Sequence, residues 1–250
     1  MNNYCLTLQY EGTRYDGWQK QGNTKNTIQG RLETILTQLC DEPITLIGSG
    51  RTDAGAHAAG QKANFHTQKT WQPETLLTEV NRRLPRDIGV VAVSIEKPAF
   101  HARFSAKEKT YCYRVWNSTV PNVLSGRYYF QSPAPLDISA MEQAAALFLG
   151  EHDFQSFCAA RPGKKSTVRT IYAIDIDQKG PKVAIWVRGN GFLYQMVRIL
   201  CGTLLEVGEG KRPAESMQPL LEAKNRSLAG ITLPARGLML MEVRYDHDEK

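Results

Sequence analysis

The sequence predicts an α+β protein made of two halves with a similar order of elements. Segments that alternate in polarity, as strands do, are interspersed with segments of helical periodicity. The first half is predicted to run strand, helix, strand, strand, helix, strand, which is the order of a split βαβ unit. The second half follows a similar order without a detectable sequence repeat. We therefore predict domains at 1–105 and 106–250, and we expect the two halves to share one sheet.

The first half opens with a predicted strand at residues 4–10, where side chains alternate in character. Apolar residues at helical spacing then run from Ile28 to Leu39. They follow Asn26 and Thr27, whose side chains are suited to cap a helix. The remaining predicted elements of this half are the strands Ile44–Ser49, Gln61–His66 and Ile88–Ile95 and the helix Pro73–Leu84.

The second half is predicted to open with the strand Thr110–Trp116. Two later strands, Thr167–Asp177 and Lys182–Arg188, are separated by residues 179–181 and predict a hairpin. The remaining predicted elements are the helices Ser139–Leu149, Phe192–Val207 and Ser216–Ala223 and the final strand Leu238–Tyr245.

Composition describes an ordinary globular chain with a basic excess. Its 250 residues, 42% of them hydrophobic, are enough to bury a sizeable core. The start, MNNYCLTLQY, lacks the features of a secretion signal and no stretch is apolar enough to span a bilayer, so we expect a cytoplasmic protein. The five cysteines form no close pair and are predicted to be reduced, mostly buried thiols. A net charge of +6 is compatible with a nucleic-acid partner.

A glycine-rich loop follows the apolar run at 44–47. Residues 48–57 read GSGRTDAGAH and contain three glycines and a single acid, Asp53. Glycine lets the backbone approach a ligand closely, and Arg51 and Asp53, two residues apart, share one face of an extended loop. A carboxylate beside a permanent cation stays ionised near neutral pH. The loop is therefore a candidate site, and its structural alternative is a turn with a surface ion pair.

Two other segments have both a functional and a structural interpretation. Residues 100–114 read FHARFSAKEKTYCYR, in which basic and aromatic residues are interleaved as in surfaces that hold phosphates and stack bases. Tyr111 in this segment equally fits the core of a strand. Arg198 projects roughly 140° from the centre of the apolar stripe of its predicted helix, so periodicity alone predicts a solvated side chain.

Several common sites are not expected. His57, His66 and His101 lack the spacing of a metal motif, and the glycine-rich loop lacks the GK[ST] ending of a Walker loop. The chain contains no GxSxG nucleophile elbow. We therefore predict no metal site.

Six strings in order resemble the tRNA pseudouridine synthase A family over essentially the whole chain. They are YEGTRYDGWQKQ at 10–21, GRTDAGAHAAGQ at 50–61, FHARFSAKEKTYCYR at 100–114, HDFQSF at 152–157, GNGFLYQMVRILCGTLLEVG at 189–208 and PARGLML at 234–240. Two positions depart from the usual family pattern. Ala56 stands where valine is usual, and Glu11 stands where aspartate is usual.

The resemblance implies the pseudouridine synthase fold, in which two ferredoxin-like or RRM-like halves share a mixed, mostly antiparallel central sheet. It implies an enzyme that isomerises uridines 38, 39 and 40 in the anticodon stem-loop of tRNA, as a homodimer, without cofactor or metal. Asp53 would then be the catalytic aspartate, acting as nucleophile or base, and Arg198 would pair with it. Tyr111 would stack on the target uracil, and Arg51 would help to extrude the base from the stem.

These residue types suit that chemistry. The enzyme must break the bond between C1′ and N1 of uracil, turn the base, and join C5 to C1′. A carboxylate could attack the sugar or remove its C2′ proton, and either route requires the ionised form. Extruding a base from a stem costs a few kcal/mol, which an inserted arginine can offset. Two other functions fit parts of the sequence: an RNA-binding module without catalytic activity, and a carboxylate-dependent phosphoesterase, which would require several ligands around a metal.

Overall fold

The computed structural model describes residues 1–160 and 166–246, which contain ten strands and five α-helices. The strands are β1 Asn2–Tyr10, β2 Ile47–Gly48, β3 His57–Thr67, β4 Ile88–Glu96, β5 Glu108–Asn117, β6 Phe130–Ser132, β7 Gly150–Asp153, β8 Val168–Lys179, β9 Lys182–Gly189 and β10 Leu238–Arg244. The helices are α1 Ile28–Cys40, α2 Pro73–Arg83, α3 Ile138–Ala146, α4 Met196–Gly208 and α5 Met217–Ala223. The predicted α+β class is confirmed.

The chain forms two compact units. Unit 1 comprises Met1–Lys107 together with the stretch that begins at Met239, and unit 2 comprises Glu108–Leu238. The predicted domain boundary between residues 105 and 106 stays a prediction. The compact units divide the chain after Lys107 and again after Leu238.

Unit 1 has the expected split βαβ order, with β1, α1, β2, β3, α2 and β4 along the chain. Its strands lie in the order β4, β1, β3, β10, and β2 pairs with the other end of β3. Only the β3–β10 pair is parallel among the pairings described within this unit. Alternate residues of β1, among them Tyr4, Leu6 and Leu8, are buried, and so are Leu32 and Leu36 of α1.

Unit 2 carries its strands in the order β5, β9, β8, β7, with antiparallel pairs throughout this path. The short strand β6 pairs with β5 in parallel. The predicted hairpin is confirmed: Lys179 pairs with Lys182, and Gly180 at the turn has a φ of 57°. Helix α4 is almost entirely buried and forms the centre of this unit's core.

The predicted strand Ile44–Ser49 is wrong in length, since only Ile47–Gly48 pairs with β3. The backbone before it is bonded to side chains of α1 instead. The Ile44 amide donates to Thr37 Oγ1 at 3.1 Å, and the Leu46 amide donates to Glu33 Oε1 at 3.0 Å. These bonds replace the ladder that a longer strand would form.

Strand β3 begins four residues before its predicted start at Gln61. The added residues pair in parallel with β10, with Met239 opposite His57 and Leu240 opposite Ala58. This partner is about 180 positions away in sequence, and local alternation carries no information about it. The site loop consequently ends on a paired strand residue, His57.

The predicted helix Phe192–Val207 begins four residues later, at Met196. Gln195 has a left-handed backbone, with a φ of 60°, which interrupts the helix before that point. The helix predicted at Ser139–Leu149 spans Ile138–Ala146, and the strands β6 and β7 were not predicted. Strands of three or four residues are too short to show a periodicity.

The cysteines are free thiols, as predicted, and four of the five are buried. The exception is Cys158, which is partly exposed. Across residues 1–160 and 166–246, no helix has both the length and the apolar character needed to cross a membrane.

Candidate active site

The loop that carries Asp53 connects β2 to β3. Asp53 is half-buried and Arg51 is exposed. The start of the loop is held from β3, because the buried Gln61 side chain accepts from Ser49 Oγ at 2.6 Å and donates to the Gly50 carbonyl at 3.0 Å. The first residues of the loop are therefore fixed before the chain reaches the acid.

The connection between β1 and α1 holds the backbone on both sides of Asp53. The Trp18 amide donates to the Thr52 carbonyl at 3.1 Å, and the Gly55 amide donates to the Tyr15 carbonyl at 3.3 Å. These bonds join residues about 35 to 40 positions apart in sequence. The segment 10–21 therefore supports the segment 50–61 in this fold.

Two glycines of this connection allow it to approach the loop closely. Gly17 has a φ of 91°, and a Cβ built on it would lie 2.9 Å from the Thr52 carbonyl oxygen and 3.2 Å from the Asp53 carbonyl carbon. A Cβ on Gly12 would overlap the Ala56 carbonyl. Any larger residue at either position would push the loop away.

His57 fixes the end of the loop. Its ring is 1% exposed, and its Nδ1 accepts from the Gly12 amide at 3.1 Å. Glu11, the family-divergent residue, lies beside it, with Oε1 3.5 Å from Nδ1. The sequence identified His57 only as a histidine without a metal motif. Its bond from the Gly12 amide shows that it helps to position the end of the loop.

A buried phenol lies under the residue before Asp53. Tyr10 Oη and Thr52 Oγ1 are 2.8 Å apart, and both side chains are buried. Burial raises the pKa of Tyr10 far above its usual range, against the opposing effect of its hydrogen bonds to Thr52 and Gln61. The phenol therefore stays neutral and acts as a fixed support for the loop.

Arg51 extends from the loop into solvent. Its Nε donates to Gln19 Oε1 at 3.2 Å, and Gln19 Nε2 donates to Gln29 Oε1 of α1 at 2.8 Å. The described hydrogen-bond partner of Arg51 is therefore the side-chain amide of Gln19. An exposed guanidinium at the tip of a rigid loop is free to contact a large polyanion.

Tyr111 lies on β5 in unit 2, opposite Val187 of β9. It is 7% exposed, and its ring meets Phe192 edge to face, with centroids 5.2 Å apart and planes at 90°. Phe192 lies four residues before the start of α4 at Met196. On the same strand, Tyr113 Oη donates to the Pro234 carbonyl at 2.8 Å.

Arg198 lies in the first turn of α4 and is half-buried, so the solvated position predicted from periodicity is wrong. Its Nε donates to the Leu233 carbonyl at 2.6 Å, and the Leu233 amide donates back to the Arg198 carbonyl at 3.4 Å. These two bonds tie the string at 189–208 to the one at 234–240. The guanidinium is thereby held at its Nε by the backbone of the segment before β10.

Within the part of the chain that the structure describes, no group of three His, Cys, Asp or Glu side chains could hold a metal ion. The structure brings Asp53 and Arg51 together in one loop of unit 1. Tyr111 and Arg198 each lie in unit 2, Tyr111 beside Phe192 and Arg198 beside Leu233. From the sequence alone, neither Phe192 nor Leu233 had an assigned role in the site. In the sequence, the residues that contact Tyr111 and Arg198 were visible only as members of motif strings, which do not show which residue contacts which.

Comparison with known proteins identifies the family. A family model described as tRNA pseudouridine synthase matches residues 7–105 and 144–246. The chain belongs to the tRNA pseudouridine synthase family. Proteins named tRNA pseudouridine synthase A, from Bacillus sp. (strain KSM-64) and from Caldicellulosiruptor bescii, are each 44% identical to it, over 98% of this chain and 100% of theirs. A tRNA pseudouridine synthase A 2 from Bacillus cereus (strain ZK / E33L) is 40% identical over the same shares.

Among solved structures, a Cbf5–Nop10–Gar1 complex aligns over 81% of this chain and 54% of that one, at 11% identity and a TM-score of 0.34. That similarity is too low to add to the assignment. The family isomerises uridine to pseudouridine, and membership makes this chain an isomerase. It decides against both the non-catalytic RNA-binding module and the phosphoesterase.

Proposed function

We propose that this protein converts uridines 38, 39 and 40 of the tRNA anticodon stem-loop to pseudouridine, with Asp53 as the essential acid. The observation that supports this most strongly is the support of the loop. Asp53 is the single acid of residues 48–57. The Thr52 carbonyl before it and the Gly55 amide two residues after it are bonded to the β1–α1 connection. A reacting group held so firmly loses little entropy when it meets its substrate.

The reaction is balanced without an added reagent. The N1–C1′ bond breaks, the uracil turns, the C5–C1′ bond forms, and the proton lost from C5 is matched by one gained at N1. Asp53 would act on the ribose, either as nucleophile at C1′ or as base at C2′. A negative carboxylate beside cations stabilises positive charge that develops on the sugar. Because the product is an isomer of the substrate, we propose that the reaction needs neither cofactor nor metal, which unchanged activity in a chelator would support.

The three other residues are proposed to act on the base. Arg51, exposed at the tip of the loop, would occupy the space left when the target uridine leaves the stem, at a cost of a few kcal/mol. Tyr111, buttressed by Phe192, would stack on the freed uracil and retain it during rotation. Arg198 would pair with Asp53 through the guanidinium nitrogens that do not bond Leu233.

The test is tritium release from C5 of uridine in an unmodified tRNA transcript, together with binding of the same transcript. Asp53→Asn should abolish tritium release and leave affinity within a few fold, because phosphate contacts and stacking supply binding. Asp175→Asn, at an exposed acid of β8, is the matched control and should behave as wild type. Normal turnover by Asp53→Asn would refute the role of Asp53.

In the same assay, Arg198→Gln should lower the turnover number on the order of tenfold or more, with a smaller change in KM. Arg198→Lys should recover part of the loss, since it restores charge but not the planar fork. Arg82→Gln, which removes an exposed pair with Glu79 on α2, is the control. An Arg198→Gln enzyme of normal turnover would contradict the proposed pairing. Transcripts with single uridines at 38, 39 or 40 would show which positions are modified.

Two further properties are proposed from the family resemblance and the substrate. The protein would work as a homodimer, and sedimentation should give twice the mass of one chain. It would act in the cytoplasm, where tRNA is located, and a fluorescent fusion should distribute there.

A further inference from the structure

An aromatic side chain outside the proposed catalytic residues is exposed in unit 1. Phe104 is 78% exposed, and it lies in the turn formed by residues 100–105. The His101 ring lies 4.3 Å from it, centroid to centroid, with the planes inclined by 31°. The Arg103 guanidinium carbon is 5.9 Å from the centre of the Phe104 ring. The three side chains thus form one small surface.

The turn is held by its own hydrogen bonds. The Ser105 amide donates to the His101 carbonyl at 2.9 Å, and the His101 amide donates to Ser105 Oγ at 3.2 Å. His101 Nδ1 accepts from the amides of Arg103 and Phe104 at 3.2 and 3.3 Å. These bonds fix the orientation of the imidazole ring beside the Phe104 ring.

Buried polar side chains attach the same turn to the core of unit 1. The Ala102 amide donates to Asn64 Oδ1 at 2.9 Å, and Tyr245 Oη donates to the Ala102 carbonyl at 2.8 Å. Asn64 is in turn bonded to Asn3, which donates to the Phe100 carbonyl at 3.0 Å. Burying two asparagines is costly unless they are bonded. Here their bonds hold rigid a turn that exposes a phenylalanine.

The turn carries exposed cations. Residues 97–107 contain Lys97, Arg103 and Lys107, all exposed, and no acid, and the glutamates on either side, Glu96 and Glu108, are partly buried. Lys107 pairs with Asp246 at 3.2 Å, but both side chains are largely exposed, so the pair is weak and screened by solvent. The surface therefore presents an aromatic face among cations, which complements a polyanion with stacked rings.

We propose that Phe104 stacks on a nucleobase of the tRNA substrate other than the isomerised uridine, while Arg103 and Lys97 contact the adjacent phosphates. The identity of the ligand as tRNA rests on the proposed function. A rigid ring binds a base with little loss of entropy, because its side chain is already ordered. Stacking of this kind contributes roughly five- to 150-fold in affinity per base.

The test is the affinity of a fluorescently labelled anticodon stem-loop and of full-length tRNA for four variants. Phe104→Ala and Phe104→Leu should weaken binding of at least one RNA about fivefold or more, and Phe104→Tyr should bind within about twofold of wild type. Leucine keeps the apolar surface and removes the ring, so it separates stacking from simple burial. Leu124→Ala, at a 98% exposed apolar residue of unit 2, is the control and should bind normally.

A second measurement identifies the contact. Single abasic nucleotides are placed in turn through the RNA, outside the target uridines. One such position should weaken binding to the wild-type protein and have no further effect on Phe104→Leu, because both changes remove the same stack. Equal affinity of wild type and Phe104→Leu for both RNAs would overturn the proposal. So would a Phe104→Leu protein whose only defect is an altered sedimenting mass, since that would assign the ring to a protein interface.

The two proposals fail separately. A wild-type protein that releases no tritium from any tRNA would refute the proposed function. A wild-type protein that is active, with Phe104→Leu equal to it in affinity, would refute only the stacking. Because Phe104 is mostly exposed, its variants should unfold at the wild-type urea concentration, which excludes misfolding as the cause of a binding loss.

Discussion

Asp87 joins two side chains of the connection that supports the catalytic loop. Its carboxylate accepts from Tyr15 Oη at 2.7 Å and from Arg14 Nη2 at 2.5 Å. Burial would raise the pKa of Asp87, but the hydrogen bonds from Tyr15 and Arg14 outweigh it and the pKa is lowered. The Tyr15 carbonyl in turn accepts from the Gly55 amide. The Asp87 carboxylate therefore supports the Asp53 loop indirectly, through Tyr15.

Asp87→Asn should lower the free energy of unfolding at pH 7, and the deficit should shrink at pH 3. A carboxyl group with a lowered folded-state pKa contributes stability above its unfolded value, near 3.8, and loses it as pH falls through the folded value. Urea unfolding of wild type and variant at both pH values measures the difference. Asp175→Asn is the control for loss of an acid. A deficit of the same size at pH 3 would show that the lost stability does not depend on ionisation.

Helix α1 begins against the same connection. Thr27, which is fully buried, caps it as predicted, accepting from the Gly30 amide at 3.1 Å. The amides of the first two helical residues are bonded as well: Ile28 donates to the Gly17 carbonyl and Gln29 donates to the Trp18 carbonyl. The residues that cap the helix and those that hold the Asp53 loop therefore form one continuous element of structure.

Thr27→Ala should destabilise the protein by about 1 to 2 kcal/mol, the usual cost of losing an N-cap side chain. Thr34→Ala is the matched control. Its hydroxyl donates to the Gly30 carbonyl within the same helix from an exposed position, so we expect a change within about 0.5 kcal/mol. Urea unfolding at pH 7 measures both. A Thr27→Ala protein as stable as Thr34→Ala would mean that the cap contributes nothing to folding.

At the scale of the whole molecule, each unit buries two cysteine thiols. Cys5 and Cys40 lie in unit 1 and Cys112 and Cys201 in unit 2, each buried, whereas Cys158 is partly exposed. Burial raises the pKa of Cys112 to about 11 and raises that of Cys201 as well. A buried, protonated thiol reacts slowly, because the thiolate is the nucleophile.

Titration with a thiol reagent at pH 7.5 should therefore show one fast-reacting group in the native protein and five after unfolding in guanidinium. Cys158→Ser should remove the fast phase and leave the slow ones unchanged. The rates are followed by absorbance of the released chromophore. Two or more fast thiols in the native protein would mean that one of the units opens readily.

The sequence alone determined what depends on neighbouring residues. The α+β class, the Thr27 cap, the hairpin at 179–182 and most strands follow from periodicity and turn chemistry, which act over a few positions. The motif strings identified the family, and the comparisons confirm it. The roles of Asp53, Arg51, Tyr111 and Arg198 were inferred from the same strings and stay predictions for the experiments above.

Only the tertiary structure decided what depends on distant partners. Side chains of α1 bond the chain before β2 and delay its start to Ile47, and β10 extends β3 back to His57. The left-handed Gln195 delays the start of α4, and Phe192, which precedes that start, meets Tyr111. The same holds for Gly12 and Gly17, whose need to be small arises from a loop some 35 to 40 positions further on. A hydrogen bond or close contact between residues far apart in sequence leaves no local pattern, since each residue's own neighbours are compatible with several other partners.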